Sequence, residues 1–282
     1  VVDRVFRVEL ASELAASPGF GDHYEQCVAT ILFPQASIEA TREAQQTSRA
    51  GNVLVMGVPE DFWQLDTSGN TSPAVLELEQ VILNQPLAEE LGVGVGDLVT
   101  LRLPQQQDIS PDSPLGDRDD AVRSIPRLEV VEVIPARGLG RFDLRASQSL
   151  PRNAYVSLAT LQEELRQDGL ANALLVSGKD PSTPPDLEAS KQLARMLKPT
   201  IEDLGLLITP VELSWLAKES DQTVVLSYFS LSSTRMMLED DVITVAHKAF
   251  EKHTQQGVLT YLANAIYKVS AEQHAADGEG QV

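Results

Sequence analysis

The sequence predicts a mixed α/β fold (class α+β) arranged in two lobes. Stretches with strand-like alternation interleave with stretches of helical spacing, which points to a mixed chain rather than an all-α or all-β one. Two Pro-rich inserts, 104–126 and 179–186, break this pattern into blocks, and no internal repeat organises it. The 282 residues are 43% hydrophobic and 22% charged, enough apolar material for a sizeable core.

In chain order, "VVDRVFRVELASELAA" sets Val2, Phe6, Leu10 and Leu14 four apart, the spacing of one helix face. "SPGFGD" (17–22) stops that helix, and "YEQCVATILF" (24–33) has the β-branched and aromatic content of a strand. The polar run 34–51 predicts a mobile loop. "NVLVMGV" (52–58) reads as a short buried strand, and "PEDFWQL" (59–65) opens with Pro and acids as a helix first turn does. A turn-rich break follows at 66–73. "PLAEELG" (86–92) predicts a helix with Pro86 near its start and Gly92 in a left-handed cap. Gly96 and Asp97 turn the chain into a strand at 98–103. Residues 104–126 hold four prolines and five aspartates and predict a long exposed excursion. Strands are expected at 127–134, 154–158 and 172–178, with a helix between the last two. After the linker at 179–186, Leu193, Leu197, Ile201 and Leu204 form a helical stripe that Pro199 should bend. Strands at 206–215 and 223–231, a helix within 235–253, a second helical stretch at 257–269 and a disordered end complete the reading.

Charge and composition exclude several classes. Forty-one acidic against 22 basic residues give a net charge of −19, so phosphate backbones and anionic headgroups are repelled on average. The bases are scattered singly, and nucleic-acid binding is not expected. The longest apolar runs are four residues, at 53–56 and 173–176, far short of the roughly 20 a spanning helix needs. The start lacks the basic and apolar regions of a signal peptide and has no initiator Met, which predicts a fragment or processed form. Cys27 is the single cysteine, so no internal disulfide or cysteine-based metal cluster is expected.

The triple-glycine stretch "GVGVGD" (92–97) invites comparison with a phosphate-cradling loop. A dinucleotide fingerprint places its glycines after a strand and before a helix; here the order is helix, glycines, strand. "VSGKD" (176–180) and "GLGRF" (138–142) lack the remaining residues of their motifs. The nucleotide reading fails, and a hinge-like joint is expected instead. The aspartates of "DISPDSPLGDRDD" (108–120) do not follow a calcium-loop spacing and include Arg118, so a solvated acidic loop is expected. His23, His247, His253 and His274 form no i, i+4 pair. No G-x-S-x-G elbow occurs, Cys27 reads as a packed thiol, and Trp63 and Trp215 read as core or lobe-contact residues. No catalytic, cofactor-binding or metal-ligating residue is predicted, no cofactor is expected, and the chain is read as non-catalytic.

A resemblance adds to this. "VILNQPLAEELGVGVGDLVTLRL" (81–103) resembles the MacB-like periplasmic core domain of FtsX/LolC-type ABC transporter permeases, where a strand and Asn lead into a helix ending "LA..LG", then "GD" and a strand. "VLVMGVPEDFWQL" (53–65), "RLEVVEVI" (127–134) and "NAYVSLATLQEEL" (153–165) resemble further parts of it in the same order, covering about residues 1 to 205. Past 205 the resemblance stops. It implies an extracytoplasmic, periplasmic domain between the first two membrane helices, with a porter-like lobe (1–80 and 172–220), a smaller inserted lobe (81–171) and a helical extension (221–282). It further implies a separate cytoplasmic ATPase subunit and a second permease copy as partners, with membrane contact only through helices outside this chain. The pattern "N..LAEELGV..GD.V.L" is also similar to a soluble β-barrel module of molybdenum oxidoreductases, which implies a pterin cofactor and is the alternative.

Overall fold

A computed structural model describes residues 5–41, 47–66, 75–104, 122–144, 148–180, 185–216, 223–233 and 238–258. It is a mixed α+β structure with a large mixed sheet, as the sequence predicts. In chain order the elements are β1 (Phe6–Arg7), α1 (Glu9–Ala15), α2 (Phe20–His23), β2 (Tyr24–Thr41), β3 (Thr47–Val58), β4 (Gln80–Asn84), α3 (Gln85–Leu91), β5 (Leu98–Pro104), β6 (Val122–Ile134), β7 (Asn153–Ser157), α4 (Leu158–Leu165), β8 (Leu170–Ala171), β9 (Ala173–Gly178), α5 (Leu187–Met196), β10 (Leu206–Leu216), β11 (Thr223–Ser233) and α6 (Asp240–Ala249). Short 3-10 turns occupy Glu60–Leu65, Gly138–Arg141 and Glu202–Leu204. The chain divides into two units, Val1–Met236 and Met237–Val282. In the second, the described element is α6.

In the first unit the strand order is β3-β7-β4-β6-β5-β2-β9, and β2 also pairs with β3. Six strands therefore close on themselves, with β9 continuing from β2 as a seventh. β3–β7 and β4–β6 are parallel, while β2–β3, β2–β5, β5–β6, β4–β7 and β2–β9 are antiparallel. One buried cluster takes side chains from all six ring strands, among them Ile38, Val55, Leu83, Leu101, Leu128 and Val156. Leu87 and Leu91 of α3 and Leu161 of α4 join it. The ring is thus filled by side chains, as small barrels are. α4 comes so close to β3 that a Cβ on Gly57 would lie 2.8 Å from Leu161 Cδ1.

A second cluster, with Met56, Phe62, Trp63, Ile82 and Tyr155, lines the other face of β3, β7 and β4. A third packs α1, α2 and α5 on the first half of β2 through Leu14, Phe20, Cys27 and Ala189. The strand pair β10–β11 is a separate two-stranded sheet with eleven residues in register.

Several expectations are corrected. Residues 34–51 are not a loop: β2 runs on to Thr41 and β3 starts at Thr47, with 42–46 outside the described residues. Ala36, Ile38 and Ala40 are buried at period two, and Pro34 falls where the β2–β3 register shifts, the place a sheet tolerates proline. The N-terminal stretch is a strand pair before it is a helix, since Phe6 and Arg7 pair with Ala171 and Leu170 and α1 starts at Glu9; Val2 lies outside the described residues. Within 59–65, Glu60–Leu65 form a 3-10 turn rather than an α-helix, and Pro59 is extended before it. The excursion at 104–126 ends early because β6 begins at Val122; residues 105–121 lie outside the described residues. The stripe of 187–205 is not one bent helix. Leu193 and Leu197 pack, but α5 ends at Met196, and Ile201 and Leu204 are exposed. Pro199 accounts for this, because the residue before a proline is pushed out of the helical region. The helix expected at 257–269 and the break at 66–73 fall almost wholly outside the described residues.

Candidate functional site

The glycine stretch is the first place to look for a binding site. Asn84 caps α3, its Oδ1 accepting from the Leu87 amide at 3.3 Å, and Gly92 takes the left-handed cap at φ 62°. The glycine amides all have partners within the chain. Gly92 donates to the Glu89 carbonyl (3.1 Å), Gly94 to Asp97 Oδ2 (2.8 Å) and Gly96 to the Val130 carbonyl (2.8 Å). Val130 donates back to the Asp97 carbonyl at 2.9 Å. These glycine amides are therefore not turned toward a ligand, and the expected hinge-like joint is fastened to β6 at both Gly96 and Asp97.

Behind α3 lies a polar knot built from three side chains that sequence reasoning did not single out as a site. Asn84 is fully buried and uses its whole hydrogen-bonding capacity. Its Nδ2 donates to the carbonyls of Gly140 (2.9 Å) and Pro151 (2.8 Å), and Oδ1 also accepts from the Asn153 amide (3.0 Å). Asn153 Nδ2 donates to the Phe142 carbonyl (2.8 Å) and to Tyr155 Oη (3.3 Å), whose hydroxyl donates to the Leu139 carbonyl (2.6 Å). Burial raises the Tyr155 phenol well above its ordinary value, so it is neutral at physiological pH. Gly140 must be glycine here, since a Cβ would meet the Pro135 carbonyl oxygen at 2.1 Å. The knot holds the end of β4, the start of α3, the 138–142 turn and the start of β7 together. Its chemistry is that of a brace. The signal available in sequence was the Asn two residues before Pro86, a cap position.

A second unpredicted constellation joins residue 7 to residue 203. Asp203 is buried, and its carboxylate accepts from Arg7 Nε (3.0 Å), Arg7 Nη2 (2.9 Å) and the Arg7 amide (3.0 Å). The Thr200 amide (2.8 Å) and hydroxyl (3.0 Å) complete its shell. Burial pushes the Asp203 carboxyl up, but these bonds outweigh it and hold the group at about 2. Arg7 also pairs with Glu13 at 3.1 Å. The result is a clamp between β1 and the turn that leads into β10.

The residues weighed in the sequence do not come together. His23 closes α2 beside Tyr24. In the second unit, His247 Nδ1 is hydrogen-bonded to Gln255 Oε1 at 2.6 Å, with the amide oxygen accepting, and His253 stands edge-on to Phe250. Cys27 is buried, and burial with the nearby Asp61 raises its thiol to about 11, leaving it protonated and unreactive at neutral pH. Trp63 packs against Phe62 and Tyr155 at centroid distances of 5.1 and 5.0 Å. The Trp215 side chain, His274 and the aspartates of 108–120 lie outside what is described. Among the described residues, no three His, Cys, Asp or Glu are grouped to hold a metal, and no helix is long and apolar enough to cross a membrane. Comparison with protein-family models and with curated proteins gave no match to this chain.

Proposed function

We propose that this chain is the extracytoplasmic domain of an ABC transporter permease, on the periplasmic face of a bacterial cytoplasmic membrane. A cytoplasmic ATPase subunit would drive it, and it would serve export or extraction of a lipid, lipoprotein, peptide or drug. In this reading the domain does no chemistry; it receives motion through a span preceding residue 1 and passes it on.

The observation that carries the reading is the Arg7–Asp203 clamp. Force arriving through the N-terminal segment reaches β1, where the chain would peel away unless fastened. Arg7 grips one buried carboxylate with its backbone amide and its guanidinium, across 196 residues of sequence. β1 pairs with β8 alongside it. Asp203 sits three residues before β10, so a displacement of residue 7 is delivered to the base of the β10–β11 ribbon as a rigid-body movement.

The closed six-stranded ring favours the alternative, a cofactor-binding barrel, at the level of architecture. The filled ring and the engaged glycine amides weigh against it.

The test is to tag the product of the whole gene in its own host and purify it from solubilised membranes. The transport reading expects flanking apolar stretches of roughly 20 residues and a co-purifying ATPase. A product with neither, or one that carries a pterin spectrum, sinks it.

A further inference from the structure

We draw no further inference here: the strongest candidate, the apolar surface exposed on both faces of the β10–β11 ribbon, with Phe229 on one face and Leu213 on the other, carries nothing because nothing in the structure shows what covers it.

Discussion

At Asp203 a carboxylate is buried and yet kept ionised, at about 2 against an ordinary 3.8. Three bonds come from Arg7 and two from Thr200, so the charged form is the one the fold binds. Because the folded value lies below the unfolded one, the unfolded chain takes up a proton first as acid is added. The stability contributed by the charge is therefore complete above pH 4 and is lost as the pH falls toward 2. In urea titrations, Asp203→Asn should unfold more easily than wild type at pH 7, with the gap closing between pH 4 and 2. A gap that stays constant over that interval would show that the charge is not what the clamp uses. Nothing in the local sequence announces this pair. Arg7 sits in a stretch read as helix, and a bond spanning 196 residues leaves no periodicity behind.

Among the elements, α3 was the most legible, since every feature that defines it is local: Asn84 as cap, Pro86 in the first turn, apolar Leu87, Ala88 and Leu91 on one face, and Gly92 left-handed. β2 was legible only where its side chains are large. Beyond Phe33 the buried positions shrink to Ala36, Ile38 and Ala40 between polar neighbours, so a strand half read as a loop. The polar knot was half visible, because capping follows from sequence but the reach of Asn84 to Gly140, Pro151 and Asn153 depends on β4 lying beside β7. That difference can be measured. Asp186 caps α5 at an exposed site, accepting from the Ala189 amide at 2.8 Å, and Asp186→Ala should cost about 1 kcal/mol. Asn84→Ala removes a cap and also strands two carbonyls and an amide, so it should cost about 4 kcal/mol. Equal losses in chemical denaturation would mean that the knot braces nothing. A rise confined to the α3 amides in hydrogen exchange would likewise reduce Asn84 to a simple cap.

For the whole molecule, the decisive quantity is the charge of −19, which acts on every part of the folded chain at once. The ring's closure was beyond sequence reasoning, since parallel pairs such as β3–β7 join residues about a hundred apart, but the charge was in plain sight. Folding brings 41 acidic residues closer together than they stand in the extended chain, so self-repulsion opposes the compact state. That repulsion reaches about 30 Å at 10 mM salt and about 8 Å at physiological strength. Resistance to urea should therefore rise as salt increases from about 10 mM to about 500 mM, and level once screening is complete. Attraction between opposite charges has the reverse dependence and weakens with salt. Urea titrations at four or five salt concentrations read the slope directly. A midpoint that falls as salt rises would mean that paired charges, not the net excess of acids, dominate the electrostatics of the fold.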